Sequence, residues 1–277
     1  MLGIALAAFS NFFQEISDSI GKYEVRRRAV SAYSFGFLTM FFGTVIMLGE
    51  GLIRSNLIFS LDSLPTFLPR LALEILQAHV TIRAISLADR GDFGFVKTFT
   101  IPLLLIVDVA LGYMISVPQI SGMLLIAGVV LVLLYIEQGR VRGMPYLLIS
   151  TVNAAATISL YKYDITHFNS VEAEQGLIGI GIMVYFFAAA MYFARENPFT
   201  FLRKGVFLGQ SISSGLAHAI GAFAYLYGPA SVITTAMRSF AVLFALLSGK
   251  IYFREQHFLI KISLFLLIVL GLVLIIP

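Results

Sequence analysis

The chain has 277 residues, of which 59% are hydrophobic and 12% charged, with mean hydropathy +0.92 and a formal net charge of +4. A water-soluble domain carries about 45–50% apolar and about 25% charged residues, so the composition excludes an ordinary soluble fold and makes lipid the solvent for most of the surface. Cysteine is absent, which excludes disulfides, thiolate metal sites and cysteine nucleophiles.

A membrane-spanning helix needs about 20 mainly apolar residues. Ten segments meet that need, at 2–20, 31–53, 69–88, 95–116, 119–136, 145–162, 175–194, 206–227, 229–250 and 258–276. They are longer and more continuous than the ten-residue alternation of a membrane β-barrel. The expected fold class is therefore an all-α integral membrane protein with ten transmembrane helices and short connections. Trp is absent, so interfacial anchoring falls to the 12 Tyr and some of the 25 Phe.

The first segment has no basic flank and no small-residue cleavage site ahead of a soluble domain, so it reads as a span and not a removed signal peptide. It carries Asn11, Glu15, Asp18 and Lys22. Spacings of 4, 3 and 4 put all four on one helical face. A charged side chain in a span costs several kcal/mol unless it is paired or faces water, which makes each one a functional candidate. Asp18 and Lys22 read as an i,i+4 ion pair at the helix end. Glu15 lies deeper without such a local partner and is the first candidate for binding and releasing a proton; a structural hydrogen bond is the competing reading.

In span 3, Glu74, Gln77 and Thr81 share a face, with Glu74 the second proton-coupling candidate, while His79 lies on another face and reads as structural. Span 4 holds Asp108. Span 6 has Asn153 and Thr157 where span 1 has its carboxylates. Span 8 presents Ser211, Ser214 and His218 on one face, with Gln210 beside them. Two such faces either converge on a substrate cavity or bind helices together by interhelical hydrogen bonds. Span 9 contains Arg238. Arginine keeps its proton, so the charge needs the Asp108 carboxylate, helix-end carbonyls or an anionic substrate. Small-residue stretches at 154–159, 179–183 and 213–221 allow close helix packing.

Of the 19 Lys and Arg residues, fifteen lie in or beside the connections after spans 1, 3, 5, 7 and 9. Only Arg54, Arg70 and Lys162 belong to the other connections. Basic residues collect in cytoplasmic loops, so this bias explains the positive charge without nucleic acid and places both termini outside.

The chain also repeats itself. GKYEV at 21–25 matches YKYDI at 161–165, an offset of 140. Glu74, Gln77 and Thr81 align with Ser211, Ser214 and His218 at an offset of 137, as do Gly91 with Gly228 and Gly112 with Gly249. GVVLVLL at 128–134 answers GLVLIIP at 271–277 at an offset of 143. The expected units are a first five-helix repeat, 1–138, and a second, 139–277. Five is odd, so the halves are inverted, an arrangement that builds secondary transporters with the site at the repeat interface near mid-membrane.

Ten spans in two halves of five, the Lys-bearing exit of span 1 and SGKIYFREQHFLIKISLFLLIVLGLVLI at 248–275, with Glu255 opening the last hairpin, resemble the drug/metabolite transporter superfamily and its EamA-type members. SVPQ at 116–119 supplies no acid at the corresponding point of the first half. The resemblance implies alternating access, and termini in the cytoplasm, against the charge count. It likens Glu15 to the proton- and substrate-binding glutamate in the first span of small multidrug transporters. It likens Arg238 to a ninth-span basic residue of relatives that carry nucleotide sugars and phosphates.

The expected function is a secondary transporter, most simply an exporter, of a small polar or amphipathic metabolite across the cytoplasmic (inner) membrane. Candidate substrate contacts are Asn11, Asp18, Gln77, Thr81, Asn153, Gln210, Ser214, His218 and Arg238. Asp108 and Lys22 are candidate ion-pair partners. The partners are a small molecule, with an anion as one option, the lipid bilayer and, if coupling holds, protons; no cofactor, metal or nucleic acid is expected. An uncoupled facilitator or a lipid flippase fits the same architecture. An intramembrane enzyme is remote: there is no HExxH, the four His lie in separate segments, and GQSISSG at 209–215 lacks GxSxG spacing.

Overall fold

The computed structural model describes residues 2–110, 116–136, 141–228 and 230–275, and every regular element among them is helical. The first set runs α1 (Leu2–Arg26), α2 (Ala32–Ile53), α3 (Leu64–Leu87), α4 (Arg90–Thr98), α5 (Thr100–Ala110) and α6 (Val117–Ile136). The second runs α7 (Met144–His167), α8 (Val171–Ala189), α9 (Gly205–Ala224), α10 (Ala230–Ile251) and α11 (Phe258–Ile275). Each apolar segment of the sequence corresponds to one helix, except the fourth, which forms two.

Local chemistry sets the ends. Ser31 caps α2 by accepting from the Ser34 N–H at 3.1 Å, and Ser170 caps α8 by accepting from Ala173 at 3.2 Å. Pro65 and Pro145 sit in the first turns of α3 and α7, where their missing N–H costs nothing. Gly143, at φ +74°, takes the left-handed turn before α7. The interruption of the fourth segment has an equally local cause. Pro102 has no N–H to offer the Thr98 carbonyl, and α4 closes instead with the Phe99 N–H on Val96 O at 3.1 Å.

Beside a buried apolar core, large apolar residues lie exposed and several charges are buried. Leu52, Leu131, Val184, Leu266 and Val273 are exposed, whereas Lys22, Arg70, Arg90, Asp164 and Glu174 are buried. Among the described residues, Ala32–Ile53 and Val171–Ala194 are long and apolar enough to cross a membrane by length and composition, with shorter apolar runs at Val117–Leu133 and Phe258–Leu274. Of the remaining long helices, α1, α3 and α7 carry buried charges, and α9 is lined with buried Gln and Ser.

The packing follows an exchange rule. With α4 and α5 counted as one, α2 packs on α8, α6 on α11 and α4/α5 on α10, while α1 packs on α9 and α10, and α7 on α3 and α4/α5. Exchanging each helix of the first set for its counterpart in the second leaves these pairings in place. The small-residue stretches of α8 and α9 lie against α2, with Gly179 facing Thr44. A Cβ on Gly215 of α9 would come within 2.9 Å of the Gly43 backbone N in α2.

Three expectations change. Asp18 and Lys22 are not each other's partners: Lys22 reaches Glu255 at 3.5 Å and Asp89 at 3.7 Å, because the segment before α4 and the one before α11 both meet the end of α1. Arg90, Lys97 and Lys261, counted with the loops, are buried within helices, as is Lys22. Arg70, counted with an outer connection, is buried in α3. The bias toward the odd connections survives their removal.

A candidate substrate cavity

A cavity of about 380 Å³ lies among α1, α2, α3, α4, α7, α8, α9 and α10. That is within the range of small-molecule sites, about 300–1,000 Å³. Its polar wall falls into three zones.

At the end shared by α1 and α4, Arg90 holds both carboxylates of the first helix. Its Nε donates to Glu15 Oε1 at 3.0 Å, and its Nη2 donates to Glu15 Oε2 at 2.6 Å and Asp18 Oδ2 at 2.9 Å. Ser19 donates to Glu15 at 3.0 Å, and Ser248 of α10 donates to the same carboxylate. Glu15 therefore has a partner, 75 residues away in sequence. Beyond this pair, Glu255 accepts the N–H groups of Arg90 at 2.5 Å and Gly91 at 3.1 Å, so it caps α4 where the helix dipole favours an anion. Lys261 pairs with Asp92 at 2.6 Å. The buried charges here tie α1 and α4 to α10 and α11.

In the middle, Lys97 of α4 donates to Ser150 O at 3.1 Å and Ser150 Oγ at 2.6 Å. Gln77 donates to the same hydroxyl at 3.0 Å, and Thr81 lies 2.9 Å from it. Asn153 donates to Gln77 Oε1 at 3.0 Å and to Leu73 O at 2.8 Å. It thus orients Gln77 from behind the cavity wall. Arg238 lies on the wall of α10, half-buried, and no carboxylate among the described residues pairs with it. Its buried Nε has no hydrogen-bond partner. Asp108, the partner expected from the sequence, has a side chain outside the described residues. His218 faces the cavity with its ring over Gly43.

At the far end, Arg70 pairs with Glu174 of α8 and lies 3.5 Å from Glu74. Its guanidinium also sits 4.6 Å from the centre of the Tyr161 ring. Asn169 donates to Glu174 at 2.6 Å, and Thr66 donates to Asp164 at 2.5 Å, so this end ties α3 to α7 and α8.

The cavity brings together Asn11, Glu15, Asp18, Glu74, Gln77, Thr81, His218 and Arg238, residues that the sequence singles out on four segments. Gln210 and Ser214 are not part of it. Gln210 points into the seam of α9 with α1 and α2, donating to Ser17 at 2.8 Å and Thr39 at 3.3 Å, and Ser214 is buried away from the wall. Lys22 likewise serves the ion pairs at the end of α1. His79 lies outside the cavity lining, 2.6 Å from the Tyr185 hydroxyl.

Sequence reasoning missed Arg70, Arg90 and Lys97 because each lies at the edge of an apolar run and reads as a loop charge. A signal existed for two of them. Arg90, Phe93, Gly94 and Lys97 follow helical spacing, and all four line the cavity.

No family model and no curated protein matches the chain. A crystal structure described only as that of a protein superposes with TM-score 0.66 and 15% identity, over 99% of this chain and 96% of the other. The whole chain therefore adopts a fold seen before, and at that identity the likeness speaks for the fold alone.

Proposed function

We propose that the chain is a ten-span membrane transporter of the drug/metabolite type, built from inverted repeats 1–138 and 139–277, which moves a small polar or amphipathic metabolite across the cytoplasmic membrane by alternating access. The observation that carries this reading is a charged, hydrogen-bonding cavity inside an all-helical bundle that exposes many large apolar side chains. In lipid, helices satisfy their own backbone groups, and charged side chains inside spans mark substrate or ion pathways. The exchange rule of the helix pairings supports the repeat, and the 0.66 TM-score supports a fold shared along the full length.

In this mechanism the two ends of the cavity are gates. The Arg90–Glu15–Asp18 cluster with Glu255 closes one, and Arg70 with Glu74 and Glu174 closes the other. Protonation of Glu15 removes a partner from Arg90 and loosens the first gate. Glu74, the weaker of the two acid partners of Arg70 by distance, plays the same part at the second. The odd connections lie in the cytoplasm, following the basic residues.

Proteoliposomes with a pH dye inside and a panel of amino acids, sugar phosphates and cationic drugs outside test the reading. A substrate-dependent pH change that disappears in Glu15→Gln/Glu74→Gln is expected. Unaltered transport in that double variant removes proton coupling. Flux without any pH change makes the protein a facilitator, the second reading, which the closed Arg90–Glu15 pair favours.

A further inference from the structure

One cation stands on the outside of the bundle. Arg83 of α3 is half-buried and does not line the cavity. Its guanidinium donates to the Tyr33 hydroxyl of α2 at 3.0 Å and sits 5.1 Å from the centre of that ring. No carboxylate among the described residues pairs with it. Ala72, Leu76, His79, Arg83 and Leu87 follow spacings of 4, 3, 4 and 4, so they share one face of α3. The aliphatic members of that face are exposed. In a bilayer such a face meets acyl chains, where a lone charge is costly. Arg83 is four residues from the end of α3, about 6 Å along the axis, which is within reach of the headgroup layer.

The groups around Arg83 are left with donors and no acceptor. Tyr33 accepts from Arg83, and its own O–H has no acceptor among the described residues. His79 Nδ1 and the Tyr185 hydroxyl of α8 are 2.6 Å apart. If Tyr185 donates, the neutral ring carries its proton on Nε2, which is then free to donate; if Nδ1 donates, the Tyr185 O–H is left over. Either way the pair has one spare donor. Arg83 lies within electrostatic reach of both His79 and Tyr185, and the Tyr33 and His79 ring centres are 6.1 Å apart. The end of α8 widens into a π turn over Ala190–Ala194, which sets Phe193, 68% exposed, 5.7 Å from the Tyr33 ring.

We infer that Arg83, Tyr33 and the His79–Tyr185 pair form an outer binding site for a membrane phospholipid. Its phosphodiester takes the donors, and an acyl chain lies along the aliphatic face of α3. A phosphodiester matches the cluster in two respects. It is rich in acceptor oxygens, which suit the planar fork of a guanidinium, and its single negative charge balances the single cation. Basic pockets between helices at the membrane surface bind lipid headgroups on the same principle, and an aromatic rim suits that depth. The site goes beyond the transport reading and takes from it only that the bundle sits in lipid.

The test is native mass spectrometry of the purified full chain, titrated in detergent with dioleoyl phosphatidylglycerol, dioleoylglycerol or inorganic phosphate. A tight phosphatidylglycerol adduct is expected. Dioleoylglycerol, with the same chains and no phosphate, should bind at least about tenfold more weakly, and millimolar inorganic phosphate should not displace the lipid. Arg83→Gln should weaken the lipid about tenfold to a hundredfold, as expected for a lost charged hydrogen bond, and Tyr33→Phe should act in the same direction. Arg83→Lys should recover part of the loss. Arg27→Gln, an exposed basic residue after α1, should change nothing. Tyr33→Phe removes a single oxygen, so it carries the result if Arg83→Gln fails to fold. Wild-type affinity in both variants, or equal binding of dioleoylglycerol, overturns the site. An equal loss in Arg27→Gln overturns it in favour of diffuse attraction to basic residues, and displacement by inorganic phosphate in favour of a soluble anion. Fractionation of lysed cells separates the two readings. A chain recovered without detergent in the soluble fraction removes both; a chain that sediments with membranes and binds no phospholipid removes the site alone.

Discussion

At the scale of single residues, the strongest constraint is the Arg90 cluster. Arg90 is 2% exposed, and its guanidinium serves two carboxylates on another helix. Removing one partner of a buried ion pair costs about 3–5 kcal/mol because the other charge is left unmatched, whereas removing the whole group costs far less. Arg90→Met should therefore lower the unfolding temperature of the purified protein severely, and Arg90→Met/Glu15→Gln/Asp18→Asn should restore most of it. A triple variant no more stable than the single one would show that Arg90 supports the fold by packing over Phe93, 5.1 Å from its guanidinium, and not by charge. The polar stripe of α1 was legible in the sequence because a 4, 3, 4 spacing leaves one helical solution. Its partners were not. Spacing reveals what shares a face within one helix, and the residues that answer Glu15, Asp18 and Lys22 come from α4, α10 and the segment before α11. The assumption that an acid and a base four apart pair with each other fails here because stronger, more distant partners compete.

At the scale of elements, every apolar run became a helix, since lipid-length hydrophobicity admits little else. The ends moved outward where polar residues continue the helical pattern, as in α1 to Arg26 and α7 to His167. Hydropathy marks the greasy part of a helix and not its end. The break at Phe99 was readable from Pro102, yet a long apolar run hides it. Seams can be tested within one helix. Gly215 and Gly209 both lie in α9, but a Cβ at Gly215 meets the backbone of α2, and one at Gly209 meets nothing within 4 Å. Gly215→Ala should destabilise by about 1–3 kcal/mol, the cost of forcing atoms into a packed seam. Gly209→Ala should be neutral or stabilise by about 0.5–1 kcal/mol, since Ala has less chain entropy to lose. Equal effects of the two in thermal unfolding would mean that α9 and α2 do not meet as described.

At the scale of the whole molecule, orientation is the open quantity that the charge bias decides in this reading. The absence of cysteine makes it directly measurable. Arg27→Cys follows α1, and Leu61→Cys, at a position 75% exposed, lies between α2 and α3. A membrane-impermeant maleimide should label Leu61→Cys in intact cells and Arg27→Cys only after permeabilisation. The opposite pattern would place both termini in the cytoplasm, as the family resemblance implies, and show that basic residues drawn into ion pairs have lost their say over orientation. The scattered sequence matches suggest an internal repeat, and the three-dimensional pairing of helices is consistent with the same exchange. The break between α4 and α5 is not. Its counterpart in the second half, around Phe240, is continuous helix within α10. An inverted repeat with two identical halves would have inward- and outward-facing forms of equal free energy, each the mirror of the other across the membrane. A bend present in one half alone removes that degeneracy. Under the proposed alternating access, the empty protein would then rest mostly on one side, and a ligand arriving from the other would first draw on a minor population, which weakens its apparent affinity in proportion.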